Sequence, residues 1–371
     1  MKNAGFSILK LKLLFKIIQA AFSLNNNPIA AISATRKTVA SIQGRSNFQP
    51  KPFFKRVGDS YIWNLNIPSY PSKSLDRMIE KEVAISSGKI STSLNLGIVA
   101  ITNKCSLNCE HCFEWDNLNR QNQLDLSDIS GVIGKLNSYG VSQIWFTGGE
   151  PMNKFELLCS AISDNNQLPI DYWVVSSGFG LNEKKAVSLK LAGAKGVVIS
   201  LDHYVAEKHD LFRGFTGSYQ AATNALLAAQ KAGLLTAVSL CAINDMTQLD
   251  QLRNYLDLVK ELGVEFIQIL EPKSEGRYQN KDVQLTLQEK ESLEYFFLSQ
   301  LEMAHSGNEG PIISYPDYQK RMHGCLGGKR YLYVDTNGDV HACPFCKSSN
   351  PVSFLDKQSI PLTVNATCSL D

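Results

Sequence analysis

Acidic side chains are almost absent from the first sixty residues of this 371-residue chain. That segment holds ten lysines and arginines but a single acidic residue, Asp59, so its net charge is +9 although the whole chain carries only +2. A charge asymmetry of this kind favours contact with an anionic surface, such as a membrane, a nucleic acid or an acidic partner.

Long uninterrupted apolar runs are also missing. Lys10, Lys12 and Lys16 divide the apolar stretch Phe6–Leu24, which argues against a membrane-spanning helix and against a standard signal peptide. The spacing predicts an amphipathic helix over this stretch. Three interpretations stay open: the helix packs its apolar side on the protein, lies on an anionic lipid surface, or is an organelle transit peptide.

The composition excludes several classes of protein. With 44% hydrophobic and 19% charged residues and a mean hydropathy of −0.13, the chain is neither disordered, collagen-like nor a multi-span membrane protein. The nine cysteines are odd in number and occur in a chain that is not small, so a complete disulfide framework is not expected. Their clustering indicates metal binding instead.

Before residue 94 the sequence predicts little regular structure after the first helix. The polar stretch from Asn25 to Pro52 is interpreted as loop or short helix, and Phe53 to Leu65 as a small hairpin. Pro68 and Pro71, with the serines around them, indicate a linker.

From about residue 94, short apolar runs alternate with segments of helical spacing. The predicted strands are Leu96–Ile101, Ile144–Phe146, Tyr172–Val175, Gly196–Leu201, Thr236–Cys241 and Glu265–Leu270. The predicted helices are 126–140, Lys154–Ser163, Glu183–Leu191, Tyr219–Ala232, Leu249–Leu262 and 287–304. Six such units predict an α/β fold with a parallel sheet covered by helices, either an open doubly wound sheet or a full or partial barrel. In both cases chemistry is expected at the carboxyl ends of the strands.

Three cysteines follow the first of these strands. Cys105, Cys109 and Cys112 form a C-x3-C-x2-C motif. Three thiolates on one loop can hold three corners of an iron–sulfur cube and leave one iron open to a small molecule. Two alternatives remain, a zinc site with His111 as the fourth ligand and a redox pair formed by Cys109 and Cys112.

The cysteine motif, followed one strand later by Gly148-Gly149-Glu150-Pro151, resembles the radical S-adenosylmethionine (radical SAM) superfamily. This resemblance covers residues from about 94 to 275 and implies a partial (β/α)6 TIM-like barrel with a [4Fe–4S] cluster on Cys105, Cys109 and Cys112. It implies that the open iron binds S-adenosylmethionine and that one-electron cleavage gives a 5′-deoxyadenosyl radical, which abstracts hydrogen from a substrate. It further implies an oxygen-sensitive enzyme served by an electron donor such as flavodoxin or ferredoxin.

The resemblance also assigns contacts to S-adenosylmethionine at the strand ends. Gly148 and Gly149 would let the backbone approach its amino group, and Glu150 would place a carboxylate beside that group. The other expected contacts are His111 near adenine, Ser176 or Ser177 near the ribose or methionyl group, Ser200 with Arg213 at the methionyl carboxylate, and Asn244 near adenine or ribose. The structural alternatives are a plain turn for Gly148 and Gly149, a strand end for Ser176 and Ser177, and a surface ion pair for Arg213.

A second group of cysteines lies near the C-terminus, at Cys325, Cys343, Cys346 and Cys368. Asn337-Gly338, inside the segment Tyr331–Ala342, predicts a hairpin between the first two. This segment resembles the SPASM or twitch extension of the same superfamily, whose G-x4-C element matches Gly338 and Cys343. The resemblance implies one auxiliary [4Fe–4S] cluster on these four cysteines, the last of which, Cys368, lies three residues from the end of the sequence. A structural zinc site, with His323 or His341 as substitute ligands, is the alternative.

These features predict three regions: a basic, amphipathic extension with a hairpin at 1–90, a radical SAM core at 91–305 and a twitch-like or SPASM-like domain at 306–371. A peptide or protein side chain is the expected substrate, by analogy with proteins that carry this extension. The alternatives are a cofactor-biosynthesis enzyme similar to the molybdopterin cyclase and a non-catalytic, zinc-stabilised binding protein. We expect a cytoplasmic protein with peripheral membrane contact through the first helix as one option, and no nucleic-acid partner. No residue is assigned as general acid or base, and Glu271 and Asp202 are noted only as strand-end carboxylates that could face the cavity.

Overall fold

One sheet of ten strands organises the protein, as seen in a computed structural model that describes residues 2–46, 54–91, 94–120, 124–305 and 310–356. The strands are β1 (Lys55–Val57), β2 (Ser60–Ile62), β3 (Leu96–Ala100), β4 (Gln143–Thr147), β5 (Asp171–Ser176), β6 (Ala194–Ser200), β7 (Leu235–Cys241), β8 (Phe266–Leu270), β9 (Ile312–Ser314), β10 (Tyr331–Val334), β11 (Asp339–His341) and β12 (Val352–Ser353). The helices are α1 (Lys2–Leu24), α2 (Pro28–Ser46), α3 (Lys73–Ser86), α4 (Leu126–Ser138), α5 (Phe155–Ser163), α6 (Glu183–Ala192), α7 (Ala206–Arg213), α8 (Ser218–Lys231), α9 (Leu249–Glu261), α10 (Leu287–His305) and α11 (Pro316–His323).

Strands β3 to β8 lie side by side in chain order, and every neighbouring pair is parallel. Strand β9 continues the sheet beyond β8, and β10 pairs in parallel with β3 at the other edge, followed by the antiparallel β11 and β12. Because the edge strands β9 and β12 do not pair with each other in the described sheet, it is an open, partial barrel. All six predicted strand–helix units are confirmed, as is the hairpin at Asn337-Gly338.

The two faces of the sheet are buried in different ways. The outer face contributes residues such as Val99, Ile144 and Val197 to a core shared with the helices. The inner face carries Trp145 and Trp173, which pack with other apolar strand residues and with the segment that follows the small hairpin. Alternating side chains of the strands therefore serve two cores, as expected for a sheet covered on both faces.

Local signals explain the helix boundaries. Asp125 caps α4 through a reciprocal capping box with Asp128, as its position before the helix predicts. Gly193 ends α6 with φ +112°, a left-handed conformation that glycine adopts without steric cost.

The N-terminal region differs from the prediction. The expected loop or short helix within 25–52 is wrong over Pro28–Ser46, which form the 19-residue helix α2. Its small residues Ala31 and Ala34 are buried against Ile17 and Ala21 of α1, so tertiary packing stabilises a helix whose sequence pattern is weak. No helix in the described part of the chain combines the length and apolar character needed to span a bilayer.

Helix α3, which the sequence did not predict, follows the linker and covers the amino ends of the strands. The Lys81 ammonium donates hydrogen bonds to the carbonyls of Leu94 and Tyr139, and Glu82 forms an ion pair with Arg330 just before β10. Burial lowers the pKa of Lys81 to about 8. This end of the sheet is closed by α3, so the opposite end is left for the cysteine loop.

Candidate functional site

The three-cysteine loop leaves the carboxyl end of β3, where the sequence predicts it. Cys105, Cys109 and Cys112 are all half-buried. Burial raises the pKa of Cys105 to about 11 and that of Cys112 to about 12, and the nearby Cys109 thiol adds to both rises. Among the described residues, no three His, Cys, Asp or Glu side chains are gathered closely enough to hold a metal ion. The three thiols nevertheless lie on one loop, and cysteine thiolates are the donors that iron–sulfur clusters use.

Two glycines after β4 let a second loop lie directly against the cysteine loop. Gly148 has a φ of +147°, and a Cβ added to it would clash with the carbonyl oxygen of Thr102 at 2.2 Å. A Cβ added to Gly149 would clash with the carbonyl oxygen of Lys104 at 2.6 Å. The amides of Gly149 and Glu150 donate to these same carbonyls at 2.6 and 2.8 Å. The glycines are therefore required by the contact between the two loops, whatever else they bind.

Glu150, Ser176 and Ser177 come together at the ends of β4 and β5. The Glu150 side chain is fully buried and accepts hydrogen bonds from Ser176 Oγ at 2.7 Å, Ser177 N at 2.9 Å and Ser177 Oγ at 2.5 Å. Burial raises the pKa of Glu150, and these donors oppose the rise. The three residues form one fixed acidic centre, so the two serines orient the carboxylate.

Arg213 does not stand alone as a carboxylate receptor. Its Nε and one terminal nitrogen lie 2.6 and 2.5 Å from Oδ2 of the buried Asp202, and its other terminal nitrogen lies 3.7 Å from Cys109 Sγ. Burial alone would raise the pKa of Asp202, but the Arg213 guanidinium and two histidines hold it below the ordinary value. The surface ion pair considered from the sequence is wrong, because the partner of Arg213 is an interior carboxylate.

Helix α7 carries Arg213 to the cysteine loop. The Asn108 amide donates to the Arg213 carbonyl at 3.1 Å, and a Cβ on Gly214 would lie 2.4 Å from the Asn108 carbonyl oxygen. This helix was not predicted from the sequence, although Gly214 directly after His209–Arg213 is a usable signal for a helix end.

The remaining predicted contacts are placed less tightly. The His111 ring stacks on Phe212 at a centroid distance of 4.6 Å, and its buried Nδ1 has no hydrogen-bond partner among the described residues. Burial lowers the pKa of His111 to about 4. Ser200 ends β6 half-buried, and Asn244 begins a short 3-10 turn after β7, with a side chain that lies outside the described part of the structure.

A loop after β8, which was not singled out from the sequence, clamps the cysteine loop. The Arg277 guanidinium donates to the Asn108 carbonyl at 2.6 Å and stacks over Trp115 at 4.4 Å, and the Arg277 amide donates to the Cys112 carbonyl at 3.0 Å. Tyr278 adds a hydrogen bond from its hydroxyl to Glu110 at 2.9 Å. Arg277 is therefore a positioning residue for the cysteine loop.

Replacing Arg277 by glutamine is expected to loosen this loop. The lost charge-assisted hydrogen bonds and ring contact predict amide hydrogen exchange roughly tenfold faster at 108–115, as for a local loss of about 1–2 kcal/mol. Hydrogen exchange measured by mass spectrometry checks this, with the exposed Arg253→Gln on α9 as the matched control. Equal exchange in the two variants would contradict the positioning role.

Cys325, Cys343 and Cys346 are the C-terminal cysteines that lie in the described part of the chain. Cys343 is buried, and Cys346 lies one tight turn further on, with its amide donating to the Cys343 carbonyl at 3.2 Å. Burial raises the pKa of Cys343 to about 11, and the nearby Cys325 thiol contributes to the rise. Cys368 lies outside the described residues, so its role stays a prediction.

Aromatic and charged side chains join the two cysteine segments. The buried Glu114, two residues after Cys112, accepts hydrogen bonds from Tyr333 Oη and Lys347 Nζ, both at 2.7 Å. Phe113 packs edge-on against Phe345 at 5.5 Å. This proximity depends on the parallel pairing of β10 with β3, which was not predicted from the sequence.

Residues 99–259 match the family described as the Radical SAM superfamily. The chain is 24% identical over 271 residues to PqqA peptide cyclase of Gluconobacter oxydans, covering 72% of this chain and 74% of that one. It is also 24% identical over 283 residues to GTP 3′,8-cyclase of Clostridium acetobutylicum, covering 74% and 82%. The fold is similar to Streptococcus suis SuiB bound to the precursor peptide SuiA, with a TM-score of 0.57, 16% identity and coverage of 88% and 76%.

Proposed function

We propose that this chain, whose residues 99–259 match the Radical SAM superfamily, is an enzyme of that superfamily and abstracts a hydrogen atom from a peptide or protein side chain. One arrangement carries the proposal: the three-cysteine loop lies against both the Gly148–Glu150 loop and the Asp202–Arg213 pair. Three cysteines on one loop, beside a buried carboxylate and a buried guanidinium, fit a [4Fe–4S] cluster and S-adenosylmethionine.

A cluster on Cys105, Cys109 and Cys112, together with S-adenosylmethionine, would supply one-electron cleavage of the sulfonium and hence hydrogen abstraction. The residues of the chain bind and orient these groups. Arg213 places a fixed positive charge 3.7 Å from the Cys109 sulfur, beside the position of the cluster. Glu150, held by its serine donors, offers a carboxylate of fixed orientation to an ammonium group.

The other predicted contacts keep their roles within the proposal. His111 presents a ring whose one face is covered by Phe212, so the ring can line an adenine site. Ser200 would help to bind the methionyl carboxylate and Asn244 the adenine or ribose. Asp202 already occupies one edge of the Arg213 guanidinium. The methionyl carboxylate would therefore meet the other edge, which faces Cys109.

The peptide substrate is supported by two of the comparisons. PqqA peptide cyclase is named for a peptide, and SuiB was solved with a precursor peptide. A second candidate, cyclisation of a small molecule, is supported by the equal identity to GTP 3′,8-cyclase over a larger share of that protein.

We assign the core to residues 91–305 and an auxiliary [4Fe–4S] cluster to the region 306–371, on Cys325, Cys343, Cys346 and Cys368. The contacts of Glu114 with Tyr333 and Lys347 support this proposal, because they hold the C-terminal segment beside the first cysteine loop. The sheet crosses the boundary at 305, since β9 and β10 both join it. Flavodoxin or ferredoxin would deliver the electron.

Deuterium transfer separates the two candidate substrates. The anaerobically reconstituted protein is given S-adenosylmethionine and dithionite, with either deuterated forms of the short peptides encoded beside its gene or deuterated GTP. We expect deuterium in 5′-deoxyadenosine from a peptide and none from GTP. Transfer from GTP alone would replace the peptide proposal by the second candidate, and 5′-deoxyadenosine that acquires deuterium from neither would contradict both substrates.

A further inference from the structure

Helix α1 has two apolar sides, and within the described part of the chain one of them packs on other helices while the other does not. Leu9, Ile17 and Ala21 are buried, the last two in a small core shared with α2 and α3. On this inner side Lys16 also forms an ion pair with Asp76 of α3 at 2.5 Å. The packing interpretation of this helix is therefore confirmed for one side.

The second apolar side is exposed to solvent. Ile8, Leu11, Phe15 and Phe22 are 53%, 65%, 60% and 49% exposed. Their spacing of three, four and seven residues places them along one stripe of the helix. Large exposed side chains that share a face, as distinct from scattered ones, indicate a surface that another body covers.

The charge around this stripe indicates what covers it. Lys10 and Lys12 are exposed, and no acidic residue occurs before Asp59. Helix α2 repeats the combination, with Ile29 and Ile32 exposed at 77% and 46% and followed by the exposed Arg36 and Lys37. Apolar side chains flanked by lysine and arginine, without acidic residues, match an interface of anionic lipid headgroups and acyl chains.

We propose that the exposed stripe of α1, with the adjoining start of α2, docks the protein on an anionic lipid surface. The position in the fold agrees with this, because α1 packs on α3, and α3 covers the amino ends of the strands. The cysteine loop lies at the carboxyl ends of the same strands, so the docked protein keeps its site open to the aqueous side. The inference does not depend on the proposed reaction.

Vesicle co-sedimentation with the full chain tests the proposal. We expect the protein to bind phosphatidylcholine vesicles that contain about 30% phosphatidylglycerol at least tenfold more tightly than phosphatidylcholine alone, and the difference to shrink as salt rises. The double variant Leu11→Ser/Phe15→Ser is expected to lose about tenfold or more in vesicle affinity. Lys10→Glu/Lys12→Glu should lose the preference for anionic lipid.

The control replaces equally exposed apolar residues elsewhere. Leu191→Ser/Leu287→Ser changes side chains that are 80% and 73% exposed on α6 and α10, and it should bind vesicles like the unchanged protein. Equal binding by the control and by Leu11→Ser/Phe15→Ser would overturn the proposal. So would a dimer, measured by light scattering without lipid, that only Leu11→Ser/Phe15→Ser dissociates, because the stripe would then face a second copy. Unchanged thermal unfolding of each variant establishes that folding is intact.

Discussion

Replacing Cys112 by alanine is expected to remove the first cluster and all formation of 5′-deoxyadenosine. With two of three thiolates left, the cluster loses one of the three corners that the loop holds. Iron in the anaerobically reconstituted protein should fall from about eight to about four atoms per chain, as expected for the loss of one of two [4Fe–4S] clusters. Iron and sulfide analysis, together with chromatography of the nucleoside products, measures both effects.

Two matched cysteine variants make this prediction specific. Cys159→Ala, on the outer helix α5, should keep both the iron content and the nucleoside product. Cys343→Ala should lose a similar amount of iron but retain cleavage of S-adenosylmethionine, because its cluster is the auxiliary one. A Cys112→Ala protein with unchanged iron would contradict the assignment of the first cysteine group.

The second large effect is expected at the buried pair of Asp202 and Arg213. Arg213→Met leaves the Asp202 carboxylate without its main partner in an interior where each side chain is less than a tenth exposed. Breaking a buried pair on one side lowers the free energy of unfolding by about 3–5 kcal/mol. The exposed pair of Lys231 and Glu183 is the control, since Lys231→Met should cost at most about 1 kcal/mol.

The pH dependence of stability gives an independent reading of the same pair. The pKa of Asp202 is lowered in the folded state. Its contribution to the free energy of unfolding is therefore complete above its unfolded-state pKa of about 3.9, and it is lost as the pH falls through the folded-state pKa. We therefore expect the free energy of unfolding, measured with urea on the metal-free protein, to fall less steeply from neutral to acid pH in Asp202→Asn than in the unchanged protein. The same pH slope in Asp202→Asn and the unchanged protein would contradict a stabilising role for the Asp202–Arg213 pair. So would equal losses of unfolding free energy in Arg213→Met and Lys231→Met.

The repeated part of the fold was predictable because its signals are local. Alternating apolar runs and amphipathic segments predict all six strand–helix units, and Asp125 and Gly193 mark helix ends by their own chemistry. Pairing of β10 with β3 and the length of α2 could not be predicted in this way. Both depend on residues far apart in the chain, because β10 pairs with a strand more than 200 residues before it and the alanines of α2 pack against α1.

The site shows the same division between local motif and distant contact. The cysteine spacing and Gly148–Glu150 are contiguous motifs, so they could be recognised from the order of residues alone. The partner of Arg213 and the clamp by Arg277 could not, because Asp202, Asn108 and Trp115 meet these side chains only after the loops fold together. Charge counting indicated the character of the N-terminal surface, whereas exposure identified which side of α1 carries it.

The central claim, an iron–sulfur centre on Cys105, Cys109 and Cys112 that cleaves S-adenosylmethionine, is tested most directly in the anaerobically purified protein. The protein is reconstituted with iron and sulfide, reduced with dithionite and supplied with S-adenosylmethionine, and its metal content and 5′-deoxyadenosine are measured together. We predict about eight iron atoms per chain and 5′-deoxyadenosine that depends on the reductant. A colourless protein that contains only zinc and forms no 5′-deoxyadenosine would contradict the account.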